Sequence, residues 1–173
     1  MRTLWLLRHA TAGAGDPGQP DHERPLTARG HDAARALGRH LAERGVAPDL
    51  VLCSTARRAR ETLEGVASAQ RDDWVVLDER DVYLASEGEL LQRLQRLPDD
   101  VRTALLVGHN PGIGELALRL ATRGKTAALA ELHRKVPTGA LAELRLDGER
   151  WRDLPRGCEL RSYVTPKHLP ERS

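Results

Sequence analysis

The sequence has no phenylalanine, and aromatic residues make up only 3% of its 173 positions. Its core must therefore be built mostly from leucine, valine and alanine. There are only two cysteines, Cys53 and Cys158, far apart in the chain. That excludes a disulfide framework, and Cys53, inside an apolar segment, reads as a small buried hydrophobe. No apolar run is long enough to cross a membrane, and the opening one is too short for a secretory signal. A cytoplasmic protein without a membrane partner is expected. Net charge is scarce as well: 27 Lys and Arg against 25 Asp and Glu leave +2. So small an excess gives no electrostatic footprint for nucleic acid. The length suits one domain, expected over residues 1–165, and the proline- and charge-rich end, 166–173, reads as a flexible tail.

What is present is a series of short apolar runs that each end in polar residues. Leu4-Trp5-Leu6-Leu7 reads as a buried strand that stops at Arg8-His9. Thr27 then reads as the N-cap of a helix running to about Arg44, with Ala33, Ala34, Leu37, Leu41 and Ala42 as its apolar stripe and Gly45 as its stop. Asp49–Cys53 is a second strand, and Ser54 or Thr55 is placed to cap a helix carrying Arg57, Arg58, Arg60 and Glu61. Trp74–Leu77 reads as a third strand, and Ser86 as the cap of a helix over Glu87–Leu97, stopped by Pro98. Thr103–Val107 is a fourth strand that leads into Gly108-His109-Asn110-Pro111-Gly112, with a helix from there to Arg123. Ala140–Leu146 and Glu149–Leu154 read as a hairpin across Asp147-Gly148. Alternating strands and helices imply βαβ units, hence a three-layer α/β fold: a mainly parallel open sheet with helices on both faces.

The segment Ala12–Pro25 contains Gly13-x-Gly15-x-x-Gly18, the spacing of a dinucleotide fingerprint. That fingerprint requires a helix to begin among the glycines. Pro17 and Pro20, with no apolar periodicity before Leu26, argue for a loop instead.

Three strand ends carry the chemistry. The first ends in Arg8-His9, the second in Ser54 with arginines in the next helical turn, and the fourth in Gly108-His109. In a parallel sheet these ends share one edge, where open α/β sheets bind ligands. Arginines and helix N-termini gathered there describe an anion site, with phosphate the anion of choice. A neutral imidazole is a good nucleophile toward phosphorus, and neighbouring cations keep it neutral. Attack forms a phosphohistidine, arginines and the second histidine stabilise the equatorial oxygens, and water completes hydrolysis. An alkoxide leaving group needs an acid as well. No cofactor or metal is called for: the remaining histidines show no metal-ligand spacing with one another or with cysteine. Singly, each feature is ordinary: a histidine at a strand end, a charged helix face, a turn at Asn110-Pro111-Gly112.

Taken in order, the elements resemble the histidine phosphatase superfamily, of phosphoglycerate mutase-like fold. Leu7-Arg8-His9-Ala10 resembles its Arg-His-Gly signature, with Ala10 in place of the glycine. Pro25-Leu26-Thr27-Ala28-Arg29-Gly30 is similar to its Pro-Leu-Thr-x-x-Gly element, Ser54–Thr62 to its Ser-x-x-x-Arg-Ala-x-x-Thr element, and Val107–Pro111 to the surroundings of its second catalytic histidine. The resemblance implies His9 as nucleophile and Arg8, Arg58 and His109 as the phosphate pocket. Arg57, Thr11 and Asn110 are further candidates to touch the phosphate. Leu77-Asp78-Glu79-Arg80 resembles the element that supplies an acid in some members, which makes Glu79 the candidate proton donor, with Asp81 and Glu87 behind it.

The short chain and the Arg-His-Ala variant are most similar to SixA-type phosphohistidine phosphatases. The implied substrate is a phosphorylated protein, the alternative a small phosphorylated metabolite hydrolysed as a phosphomonoester, and the last reading an inactive phosphate-binding module. The loops 12–25 and 78–86, with Tyr83 the one aromatic platform, are expected to form the substrate rim.

Overall fold

Leucine and valine runs with polar ends build the centre of the molecule. The computed structural model describes residues 1–170. Among these, strands β1 (Thr3–Arg8), β2 (Leu50–Ser54), β3 (Val76–Glu79), β4 (Thr103–Gly108), β5 (Ala121–Gly124), β6 (Leu141–Leu146) and β7 (Cys158–Val164) form one sheet in the order β3-β2-β4-β1-β6-β7-β5. The first four strands in that order run parallel to one another; β6 is antiparallel to both of its neighbours, and β5 joins β7 in parallel.

The helices are α1 (Ala28–Glu43), α2 (Arg57–Ala67), α3 (Glu87–Gln95), α4 (Gly112–Leu120) and α5 (Thr126–Arg134). Strand alternation sends side chains to two separate cores. Leu4 and Leu6 of β1, Leu52 of β2 and Leu106 of β4 pack with Leu90, Leu94, Ile113 and Leu116 of α3 and α4. Trp5, Leu7, Val51 and Val107 pack on the other face with Leu37, Leu41, Leu63 and Val66 of α1 and α2. The three layers are thus helices, sheet and helices. Each buried leucine contributes about 2 kcal/mol of transfer free energy, so the central strands anchor everything attached to their ends. Helices α1 and α2 meet closely where Gly38 faces the Val66 carbonyl: an added Cβ there would lie 2.5 Å from that oxygen.

Several boundaries differ from the sequence-based expectation, each for a local reason. Residues Gly13–Gly18 form a loop with a turn at Pro17-Gly18, not a helix, which removes the dinucleotide reading. Strand β3 starts two residues late, at Val76, on the sheet edge, where Val75 and Leu77 face solvent; their apolarity marked no buried strand. Helix α4 stops at Leu120, and Ala121–Gly124 is strand β5, held by β7. The stretch expected as the second hairpin strand is instead a 3-10 turn, Trp151–Asp153, that plugs Trp151 into the core with its Nε1 on the Val101 carbonyl at 2.7 Å. The true partner of β6 is β7, paired Leu146 to Cys158 and Leu141 to Val164. A bulge at Arg161 breaks its alternation, so no clean period of two marks it in the sequence. Helix α5 buries only Leu132, too weak a stripe to read.

Of the expected flexible tail, Pro166–His168 is a 3-10 turn and Leu169 is buried against the α1 side; 171–173 lie outside the described residues. Both cysteines are free and buried, Cys53 as its apolar segment suggested. Among the described residues no helix is long and apolar enough to cross a membrane.

Candidate active site

Because β2, β4 and β1 are adjacent and parallel, their carboxyl ends share one edge, and the polar residues that terminate them meet there. Arg8 lies opposite Gly108, which places His9 beside His109; the ring centroids are 5.2 Å apart. The His9 amide donates to the Gly108 carbonyl at 3.0 Å, and its own carbonyl accepts from Gly139 at 2.9 Å. Gly139 has φ +78°, a backbone that glycine adopts without strain. Ala10 stays out of the left-handed region, so a Cβ is accommodated where the signature has glycine. Its amide donates to Thr62 Oγ1 at 2.9 Å, while the Thr62 hydroxyl donates to the Arg58 carbonyl at 2.7 Å. One side chain of α2 thereby ties the loop that follows His9 to the turn that carries Arg58.

Hydrogen bonds assign both imidazoles. His9 Nδ1 lies 2.7 Å from the Ala10 carbonyl, an acceptor only, so Nδ1 carries the proton and Nε2 keeps its lone pair. Ser54 Oγ accepts from the Ala56 amide at 3.2 Å and lies 2.7 Å from His109 Nε2. Ser54 is fully buried and its O–H has no other acceptor among the described residues, so the hydroxyl donates to His109 Nε2, which places the His109 proton on Nδ1. Ser54 or Thr55 was expected as the helix cap; α2 is in fact capped at Ala56 without a side chain, and Ser54 holds the histidine instead.

The arginines complete the cluster. Arg8 Nη1 donates to the Val136 carbonyl at 3.0 Å, and Arg58 donates to Asp21 through Nη1 (backbone oxygen, 2.8 Å) and Nη2 (Oδ2, 3.0 Å). Arg8 Nε, Arg58 Nε and His109 Nδ1 are buried and have no partner within the described chain. A buried donor without a partner costs about 1–3 kcal/mol, so three in one place describe a site built for an acceptor. The residues that carry them line an open cleft of about 400 Å³, together with His9, Thr11, Asp21, Arg24, Leu84, Asn110 and Thr138.

The other expected residues divide. Thr11 and Asn110 line this cleft; Thr11 shares a hydroxyl contact of 2.9 Å with Thr138, and the Asn110 amide ties the Val136 carbonyl to the Gly114 amide at the start of α4. Arg57 does not line it and pairs with Glu61 on the next turn. Glu79 is not brought to the cleft either: Arg93 of α3 holds it at 2.7 Å. Glu87, a runner-up, pairs with Arg119. Asp21 and Tyr83 were not foreseen as partners. The loops 12–25 and 78–86 bring them together: the Tyr83 hydroxyl donates to Asp21 Oδ2, and the ring stands edge-on to both His22 and His109. Only the rarity of aromatic residues in those loops pointed to Tyr83.

Electrostatics follow from burial. His9 is 7% exposed, and burial pulls its pKa from 6.5 down to about 4, with Arg58, Arg8 and Arg24 pushing the same way against the Ala10 hydrogen bond. His109, 3% exposed, falls to about 3, through burial first and then His9 and Arg58. Asp21 is held at about 2, chiefly by the Tyr83 hydroxyl and then by Arg58. The cleft therefore holds two neutral imidazoles, cationic guanidiniums and one carboxylate.

Comparison with known proteins agrees with this geometry. Residues 4–142 match the model of the histidine phosphatase superfamily, branch 1. An uncharacterized protein of Mycobacterium tuberculosis is 41% identical over 88% of this chain and 94% of its own. A putative phosphohistidine phosphatase SixA from Nakamurella multipartitia is 36% identical, with a TM-score of 0.82 over 95% of this chain and 96% of that one. The protein histidine phosphatase SixA complexed with tungstate is 25% identical, with a TM-score of 0.78 over 97% and 99%. With its strand-end histidines and SixA-like fold, the chain belongs to the histidine phosphatase superfamily and is a phosphatase.

Proposed function

We propose that the protein hydrolyses phosphohistidine on a phosphorylated protein, through a covalent phosphohistidine on His9. The lone pair on His9 Nε2 attacks phosphorus, and the leaving group departs with the electrons of the broken bond. Arg8, Arg58 and His109 Nδ1–H stabilise the charge that builds on the equatorial oxygens. Water then attacks the phosphoenzyme, releases phosphate and restores neutral His9. No step requires a metal ion, because His9 supplies the nucleophile. The observation that carries the reading is that Arg8, Arg58 and His109, each with a buried nitrogen lacking a partner in the described chain, line one cleft with His9.

Two observations favour a protein over a small ester. The cleft is open, and beside it lies a groove of about 820 Å³ that shares Thr11 and Thr138 with it. Arg29, Arg35, Arg39, Arg134, Lys135 and Lys167 line the groove against only Asp32 and Glu131, a local excess above the whole chain's +2. Such a surface suits an acidic protein partner. The SixA proteins that the chain resembles are named as phosphohistidine or protein histidine phosphatases, which supports the same substrate class. Two buried free thiols suit a reducing compartment, so we place the enzyme in the cytoplasm. The test is a panel of phosphohistidine-carrying protein, free phosphohistidine and small phosphomonoesters, each with wild type and His9→Ala. The reading expects phosphohistidine to be preferred and His9→Ala to be inactive on all. Preference for small esters would replace the substrate assignment, and equal activity of His9→Ala would remove the mechanism.

A further inference from the structure

Asp21 is the one carboxylate among the described residues that line the cleft. Its backbone oxygen and Oδ2 take the two terminal nitrogens of Arg58, at 2.8 and 3.0 Å. Oδ2 also accepts from the Tyr83 hydroxyl, and Oδ1 accepts from Arg24 Nε at 3.0 Å. Each carboxylate oxygen has two lone-pair directions. Those of Oδ2 are engaged by Arg58 and Tyr83; Oδ1 has one direction left, on a side chain that is 46% exposed. The phosphate-binding arginine thus carries, on its outer edge, an anion with an open acceptor position.

We propose that Asp21 selects the leaving group: Oδ1 accepts an N–H from the imidazole of a phosphohistidine substrate, which favours nitrogen-linked over alkyl oxygen-linked phosphoryl groups. This rests on the phosphohistidine reading above and deepens it. In phosphohistidine one ring nitrogen carries the phosphoryl group and the other can carry a proton. When it does, the ring is a cation, which a neighbouring carboxylate stabilises. The lone pair of His9 Nε2 then forms the new P–N bond. The old P–N bond breaks, its electron pair goes to the substrate ring nitrogen, and the imidazole leaves neutral with the proton it brought. No proton has to reach the leaving atom. An alkoxide does need one, and a carboxyl held at about 2 cannot give it near neutral pH. Glu79, held by Arg93 away from the cleft, does not supply it either.

The test compares kcat/KM for free phosphohistidine and for para-nitrophenyl phosphate, whose phenolate leaves without a proton, in wild type and Asp21→Asn. Asn keeps the size and an acceptor oxygen but loses the charge. Both rates fall, because Arg58 loses its ionic partner; the phosphohistidine rate is expected to fall about tenfold further, the cost of a hydrogen bond to a charged group. Its pH profile should also shift to lower pH, where the substrate protonates without help. A role limited to holding Arg58 would lower both substrates equally and leave the pH profile in place, which overturns the proposal while the phosphohistidine reading stands. Wild type inactive on phosphohistidine but active on the aryl ester would overturn that reading and this proposal with it. If Asp21→Asn fails to fold, Asp21→Ala, which keeps the backbone oxygen on Arg58, gives the same comparison.

Discussion

Lowering the pH from 7 to 5 separates this site from an ordinary pair of histidines. A solvated imidazole with pKa near 6.5 is only about 3% neutral at pH 5. His9, at about 4, stays about 90% neutral there. Since kcat/KM reports the free enzyme, the nucleophile itself should cost less than about twofold over that range. The same shift appears in stability. The folded-state pKa lies below the unfolded one, so the unfolded chain takes up the proton first. The stability that His9 contributes as a neutral group is complete above pH 6.5 and is lost as the pH falls toward 4. Between pH 7 and 5 this amounts to about 2 kcal/mol from His9 alone. The assay pairs a pH–rate profile on para-nitrophenyl phosphate, corrected for the ester's own ionisation, with urea unfolding of wild type and His9→Asn at both pH values. In the variant the acid-induced loss should shrink by about 2 kcal/mol. A profile that bends near pH 6.5, together with an unchanged stability slope in the variant, would refute the buried neutral imidazole.

Other substitutions test the supports. Ser54→Ala leaves neither nitrogen of His109 partnered in the protein, so thermal unfolding should show a loss of about 1–3 kcal/mol and kinetics a lower kcat/KM. Gly30→Ala sets helix propensity, a gain of about 1 kcal/mol, against a Cβ placed 2.2 Å from the Thr11 carbonyl; overpacking of about 1–3 kcal/mol should win, and the melting temperature should fall. Glu79→Gln breaks only the pair with Arg93, so kcat/KM on alkyl esters should stay within about twofold while stability falls by about 1 kcal/mol.

The parts of the fold that could be read from sequence were those whose signal is local. Leu4–Leu7 and Ala104–Val107 are apolar because both faces of their strands are covered, and the residues just after them lie at the ligand edge by topology alone. Thr27 and Ser86 announce their helices because each cap bond is made within three residues. Strand β7 escaped because its bulge interrupts the alternation, and β5 because it exists only through pairing with β7. In the site, His9, Arg8, Arg58 and His109 stand in short motifs at strand and helix ends. The contacts Asp21–Tyr83, 62 residues apart, and Ser54–His109, 55 apart, depend on tertiary folding and leave no periodic trace. Glu79 shows the converse: its local motif suggested an acid, but the register of β3 and the reach of Arg93 hold it elsewhere.

The central claim is the phosphoryl group on His9, and trapping it is the most direct measurement. The enzyme is mixed with radiolabelled substrate, quenched within one turnover, digested and mapped by mass spectrometry. The account predicts one acid-labile, base-stable phosphoryl group on His9, formed and lost at rates consistent with kcat, and absent from His9→Ala. Turnover with no phosphoenzyme under these conditions, or with the label on another residue, would contradict it.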